Sequence, residues 1–375
     1  MGSASSPATI TSSETKKTSS PIVSRSGLEG ASSSSAAMAR TVARPEPRRR
    51  LSWPADAPRV GIHLGVAGGL LKAARRARQI GAAALQIFSD NPTAWRRRSE
   101  PPGDASAFVA YCEANGIQPV AIHASYLINL AGTAEPFASQ SRAGLIYELQ
   151  RAPQYGASLV NAHIGSHRGG GPETGLRRIA ENVAAILAEA PAGVSLVLEN
   201  AAGGGDNLGS KIEELAAILG RVPAALASQI RFCLDTAHLW GAGYEVSSPE
   251  VVASVLDRFD ELIGLDRLAL VHLNDSRSTL GSRVDRHEHV GAGRIGPAGL
   301  AAFLRDPRLA SRTTIVLETP GVDEGYDAVN VRRALLLYRG DRLPELPPRA
   351  FKLTRRSTRV GPAAVKRTAS VGREG

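Results

Sequence analysis

The sequence predicts an α/β chain whose body closes into a (β/α)8 TIM barrel between two irregular tails. Three observations carry that expectation. Eight short apolar runs recur through this 375-residue chain, helix-length segments separate them, and seven of the eight runs end on His, Asp or Glu. Eight βα units between residues 56 and 340 suit a closed barrel, which usually needs about 250 residues. An open doubly wound sheet more often stops at fewer strands and carries a Gly-rich dinucleotide turn after its first strand. The Gly68–Gly69 pair lacks that fingerprint.

In chain order the runs are Arg59–Leu64, Ala84–Phe88, Pro119–Ala124, Leu159–His163, Ser195–Asn200, Ile230–Asp235, Leu268–Asn274 and Thr314–Thr319. Each is nearly unbroken in Val, Ile, Leu and Ala rather than alternating, as parallel strands covered on both faces require. The stretches between them, such as Glu181 to Ala190 and Lys211 to Leu219, space apolar residues at helical intervals. No apolar run approaches the roughly 18 residues of a membrane helix, so a soluble chain without membrane association is expected.

Residues 1–55 are read as the first tail and residues 341–375 as the second, with the barrel domain over 56–340. The first fifty residues are dominated by Ser, Thr, Ala and Pro and hold too few large apolar groups to offset the entropy of ordering. They lack the compact apolar stretch of a secretory signal. Their basic, Ser-rich composition imitates a transit peptide without its amphipathic period, so a solvated extension is expected. The second tail begins with Pro344, Pro347 and Pro348 among scattered Arg and Lys, and reads as a flexible arm. Residues 1–50 hold 8 Lys/Arg against 3 Asp/Glu and residues 341–375 hold 9 against 3, which leaves 28 against 29 in between. The formal charge of +10 therefore sits in the tails, where it would add nonspecific attraction to phosphate.

Two cysteines, Cys112 and Cys233, exclude a disulfide scaffold and any cysteine-cluster metal site. A metal would be held by His, Asp and Glu. In a barrel the C-terminal ends of the strands form the rim where active sites are built. Here those ends carry His63, His123, His163, Glu199, Asp235, His272 and Glu318. His238 follows Asp235 by three residues, and Asp285 alternates with His287 along an extended loop. Four carboxylates gathered in a low-dielectric site repel one another by roughly several kcal/mol per close pair unless cations neutralise them. Imidazole with carboxylate and no thiolate suits Zn2+, with Mn2+ or Fe2+ as substitutes. A catalytic zinc usually takes about three protein ligands, so nine ligands drawn from these ten residues suggest three ions.

Taken with their surroundings, these residues resemble the endonuclease IV family of apurinic/apyrimidinic endonucleases. The segments that carry the resemblance are GIHLGVAGGL at 61–70, HASYLINL at 123–130, HIGSH at 163–167, ENAAGGGDNLG at 199–209, DTAH at 235–238, HLND at 272–275, STLGSRVDRH at 278–287 and LET at 317–319. One such segment alone would be weak evidence, but eight in order are specific. They span about residues 58–338 and leave out both tails.

The resemblance implies that His123, His163 and Glu199 hold one zinc, and that Glu199 bridges to a second held also by Asp235, His272 and Glu318. It implies a third zinc on His238, Asp285 and His287. The implied activity is hydrolysis of the phosphodiester 5′ to an abasic site in double-stranded DNA, leaving a 3′-hydroxyl and a 5′-deoxyribose phosphate. A hydroxide shared by the first two zincs would be the nucleophile, in a cytoplasmic, monomeric repair enzyme. Tyr126 and Leu127 match the wedge that enters the duplex, and the loop Ser89–Arg98, with Asn91, matches another DNA contact. Many relatives carry an Arg where Thr93 stands, and Arg96 to Arg98 offer phosphate contacts in compensation. Arg283 and Arg286 are candidate phosphate clamps, with Asn207 and Lys211 beyond them. His63 and His167 are read as orienting ligands or phosphate, and His289 as a surface residue.

Two rival readings remain open at this stage. A single-metal sugar isomerase or epimerase on the same barrel would use Glu199, Asp235, His272 and Glu318 but leave Asp285, His287 and the His123–His163 pair idle. A noncatalytic DNA-binding scaffold would depend on the basic tails.

Overall fold

A computed structural model of the chain describes residue 51 and residues 53–352. In order, its elements are β1 (Arg59–His63), α1 (Leu70–Ile80), β2 (Ala84–Ile87), α2 (Ala105–Ala114), β3 (Val120–His123), α3 (Phe137–Arg151), β4 (Ala157–His163), α4 (Pro172–Leu187), β5 (Ser195–Glu199) and α5 (Ile212–Arg221). There follow α6 (Ala224–Ala227), β6 (Ile230–Asp235), α7 (Thr236–Ala242), α8 (Pro249–Leu262), β7 (Leu268–His272), β8 (Asp275–Ser276), β9 (His287–Glu288), α9 (Gly296–Arg305), β10 (Thr314–Leu317) and α10 (Tyr326–Arg339). Eight strands close a parallel barrel in the order β1-β10-β7-β6-β5-β4-β3-β2. All eight apolar runs are barrel strands, with ends that differ by at most two residues from the sequence reading.

The chain forms these elements for ordinary reasons of burial. In α1 the buried residues Leu70, Ala73, Ala74, Ala77 and Ile80 form one stripe against the barrel. Each Leu or Ile so buried contributes about 1.5–3 kcal/mol. The helix stops at Gly81, whose φ of 82° is the left-handed cap that glycine adopts without strain. Outward strand residues such as Ile62, Leu85, Ile122 and Leu234 pack under the helices, while Ala121, Val197, Cys233, Leu270 and Val316 form a separate cluster. That cluster belongs to positions two residues before His123, Glu199, Asp235, His272 and Glu318. With a side-chain period of two, it is the inward layer beneath the rim.

Strand register sets the rim. His163 lies beside Glu199 and Asp235 beside His272 in neighbouring strands. The loop that carries Asp285 is closed by the antiparallel pair β8 and β9, with Ser276 opposite His287. After β4 the chain turns through Gly165 at φ 102°, where an added Cβ would lie 2.2 Å from the Asn129 Oδ1 atom.

The tail boundaries differ from the sequence reading at both ends. Leu51 and Trp53 pack against the core, and the Trp53 ring lies 6.2 Å from that of Tyr338. At the other end a short 3-10 turn, Pro348–Phe351, buries Ala350. Arg333 Nη1 donates to the Pro344 carbonyl at 2.6 Å, so this segment is part of the barrel's packing rather than the start of an arm. The rest of both tails lies outside the described residues.

Candidate metal centre

The local sequence explains how the expected ligands reach the rim. Asp235 ends β6 and caps α7, its Oδ1 accepting the His238 amide at 2.9 Å. One helical turn therefore sets His238 above the strand end that carries Asp235. His287 stands in β9 and Asp285 two residues before it, so their alternation turns both toward the same point. His287 Nε2 lies 3.1 Å from Asp285 Oδ1 and 3.5 Å from Asp235 Oδ2.

All nine expected ligands converge. His123, His163 and Glu199 offer donor atoms within 4.8 Å of one another, as do Asp235, His238 and His287, and Asp235, His272 and Glu318. His238 Nε2 is 3.4 Å from Asp285 Oδ2, which joins Asp285 to the second group. Glu199 is fully buried at the centre, with His123 Nε2 at 3.5 Å, His238 Nδ1 at 3.3 Å and His272 Nδ1 at 3.3 Å.

The imidazoles are oriented in a way that ordinary ion pairs would not need. His123 Nδ1 donates to the Ala124 carbonyl at 2.8 Å, His238 Nδ1 to the Asn200 carbonyl at 2.9 Å and His287 Nδ1 to the Glu318 carbonyl at 2.8 Å. Each bond places the proton on Nδ1 and turns the Nε2 lone pair toward carboxylates. This outer hydrogen bond is the usual companion of a metal-bound histidine. Glu199 Oε1, His272 Nδ1 and His287 Nε2 are buried and have no hydrogen-bond partner. Lone pairs aimed at carboxylates across 3–4 Å are repulsive unless positive charge lies among them, so the donor set fits divalent cations.

The titration of these groups follows from the same crowding. Burial disfavours the charged form of Glu199, but facing histidines, His163 and His272 foremost, hold its carboxyl well below the usual range. Asp285 and Glu318 behave likewise through His287 and His272 respectively. Burial also opposes charge on the imidazoles. Asp235 and Asp285 nevertheless hold His238 well above its ordinary value, and Asp285 and Asp235 push His287 to about 10. Protons and metal ions therefore compete for the same nitrogens.

Three buried amides, which sequence reasoning missed, support the carboxylates. Asn161 Nδ2 donates to Glu199 Oε2, Asn274 Nδ2 to Asp235 Oδ2 and Gln86 Nε2 to Glu318 Oε1, each at 2.6 Å. Their signal was a polar residue inside or just beyond an apolar strand run. Cys233 was set aside as a ligand, yet its thiol lies within 4.8 Å of donor atoms of Glu199 and His272. Burial pushes that thiol to about 12, and a protonated thiol is a poor ligand.

A cavity of about 340 Å³ is lined by His123, His163, His238, Asp285, His287 and Glu318 and walled by Tyr126 and Phe88. A neighbouring cleft of about 360 Å³ shares Tyr126, His163, His238 and Asp285 with it, and is lined further by Leu127, Arg283 and Arg286. Tyr126 therefore stands between the two, its ring 5.1 Å from that of Phe88 in an edge contact. Asn91 is exposed, and its Oδ1 accepts from the Thr93 amide and hydroxyl at 3.0 and 2.9 Å. Asn207, Lys211, His167 and Arg283 line a third cleft of about 520 Å³.

Some of the sequence expectations need correction. Of the three arginines expected at phosphate, Arg97 faces the buried Glu148 at 3.9 Å and Arg98 Nε binds Asp90 at 2.9 Å. His63 donates to Glu318 Oε1 at 2.9 Å, against one of the expected ligands. His167 instead accepts the Gly171 amide at 3.2 Å and faces Asp206. His289 is fully buried rather than on the surface, with Nε2 donating to the Ala350 carbonyl at 3.0 Å and Nδ1 accepting from Asn330 at 3.0 Å. The C-terminal turn covers it, which the sequence reading had assigned to a mobile arm.

The sequence profile of the xylose isomerase-like TIM barrel family matches residues 74–337. A probable endonuclease 4 from Chloroflexus aurantiacus is 38% identical over 285 residues, covering 76% of this chain and 99% of the relative. The chain belongs to the endonuclease IV family. A further probable endonuclease 4, from Halorhodospira halophila, is 41% identical over 271 residues, covering 72% of this chain and 90% of its own. The crystal structure of endonuclease IV from Thermus thermophilus superposes with a TM-score of 0.66 at 38% identity, covering 76% of this chain and all of that one. The endonuclease IV resemblance is thus carried by the whole described barrel.

Proposed function

We propose that this protein is a zinc-dependent DNA repair endonuclease that hydrolyses the phosphodiester 5′ to abasic sites in double-stranded DNA, leaving a 3′-hydroxyl and a 5′-deoxyribose phosphate. The observation that carries the reading is the convergence of five imidazoles and four carboxylates on one rim. Each of His123, His238 and His287 has its outer nitrogen bound to a carbonyl and its inner nitrogen turned toward carboxylate. His123, His163 and Glu199 would hold one zinc, Glu199, Asp235, His272 and Glu318 a second, and His238, Asp285 and His287 the third.

When bound, zinc supplies Lewis acidity and lowers the pKa of coordinated water toward about 7. Three dications against Glu199, Asp235, Asp285 and Glu318 leave a formal charge of +2, suited to a phosphodiester and its more highly charged transition state. The protein's own groups do the rest. Arg283 and Arg286 bring positive charge to the cleft beside the ligands, where a DNA backbone would run. Tyr126 and Leu127 stand at the mouth, where an apolar wedge would occupy the gap left by a missing base. A single-metal sugar isomerase would account for the Glu199, Asp235, His272 and Glu318 quartet alone and gives no reason for Asp285 and His287 to meet His238.

The test is incubation with a 5′-labelled duplex carrying one tetrahydrofuran abasic analogue, with zinc quantified in the same sample. One cut 5′ to the analogue and about three zinc ions per chain are expected. About one ion per chain, no nicking and ketose–aldose turnover would overturn the reading.

A further inference from the structure

Gln86 is fully buried in β2, and its amide is bound at both ends to ligands of one cation. The Glu318 carboxylate has no proton to give. Gln86 therefore turns its nitrogen toward Glu318 Oε1 at 2.6 Å, which fixes the amide's orientation. Its oxygen then faces His272 Nε2 at 3.1 Å. An acceptor at that distance requires the His272 proton on Nε2 and leaves the lone pair on Nδ1. Nδ1 is buried without a hydrogen-bond partner, 3.3 Å from Glu199 Oε1, 3.3 Å from Glu318 Oε2 and 3.9 Å from Asp235 Oδ2.

His123, His238 and His287 have their tautomers set by backbone carbonyls, which no substitution removes. His272 has the opposite tautomer, and a side chain sets it. We propose that Gln86 is a positioning residue for the second cation: it holds His272 with its Nδ1 lone pair inward and holds Glu318 beside it, so that two of that cation's ligands are oriented by one amide. The inference rests on the reading of the rim as a zinc centre.

The test compares wild-type protein and Gln86→Met, which keeps the side-chain length and removes both hydrogen bonds. The full chain is loaded with zinc and titrated against a chromophoric chelator. Wild type should release three ions. In Q86M one of the three should bind about 10- to 100-fold more weakly while the other two stay as in wild type. Three ions held with wild-type affinities in Q86M overturn the positioning role and leave the zinc reading standing. A wild-type chain that takes up no zinc overturns both.

A second measurement does not depend on the variant's folding. In long-range 15N–1H spectra of zinc-loaded wild-type protein, the His272 imidazole, assigned by its absence from the His272→Gln spectrum, should be coordinated through Nδ1 and protonated at Nε2. Coordination of His272 through Nε2 overturns the proposal.

Discussion

Replacing Glu148 by Gln should remove a pH-dependent weakness from the barrel wall behind the metal centre. Glu148 lies on α3, almost wholly buried, where Ser89 Oγ donates to it and Arg97 approaches only to 3.9 Å. Burial dominates these contacts and raises its carboxyl from 4.5 to about 7. Between those values the folded chain binds a proton that the unfolded chain has lost, so stability falls as pH rises toward 7 and the loss is complete above it. A shift of about 2.5 units corresponds to roughly 3 kcal/mol at about 1.4 kcal/mol per unit.

The assay is thermal or urea unfolding of wild type and Glu148→Gln at pH 5 and pH 9. Other titrating groups cancel in the double difference to the extent that they are independent of Glu148. The stability of the variant relative to wild type should rise by about 3 kcal/mol from pH 5 to pH 9, or about 6 °C in Tm for a domain of this size. An equal difference at both pH values would refute the argument that burial, rather than Ser89 and Arg97, governs this carboxyl. The loop that Glu148 braces also meets the Tyr126 segment, since the Pro92 carbonyl accepts from Ser125 Oγ at 2.7 Å and from the Tyr126 amide at 3.2 Å.

Four further outcomes are expected. Glu199→Gln should lower kcat on abasic DNA by more than about 100-fold, the upper end for losing a mere supporting residue, while DNA affinity in a gel-shift assay changes little. Tyr126→Ala should cost about 1–3 kcal/mol of preference for an abasic over an intact duplex, read as the ratio of their binding constants. Zinc binding at pH 7.5 should release protons, measured calorimetrically in buffers of different ionisation enthalpy, because neighbouring acids hold His238 and His272 above the ordinary imidazole value and push His287 to about 10; release of none would contradict the raised values. Truncation after residue 343 should destabilise the barrel by roughly 2–4 kcal/mol relative to truncation after residue 352, read as the difference in unfolding free energy, because His289 and Arg333 lose buried acceptors.

The eight strands and the ligand-bearing rim were legible because both are local patterns. An unbroken apolar run is a strand buried on two faces, and its last polar residue lies where the barrel opens. His238 was legible for the same reason, one helical turn beyond Asp235. Residues whose roles depend on distant partners were not. His289 stands beside His287 in sequence, yet Asn330 and the return of Ala350, 61 residues later, enclose it. Arg97 and Arg98 looked alike as phosphate contacts, yet Glu148 on α3 and Asp90 draw them toward the barrel wall.

By itself the sequence determined the barrel, the nine donors and the near-neutral body. Strand period and the chemistry of His, Asp and Glu are properties of short segments and survive without knowledge of neighbours. Tertiary structure alone decided which nitrogen of each imidazole faces inward, that Gln86, Asn161 and Asn274 support the carboxylates, and that Pro344 and Ala350 pack against the barrel. Those are choices of hydrogen-bond partner, and a partner is selected by three-dimensional proximity between residues as far apart as Gln86 and Glu318.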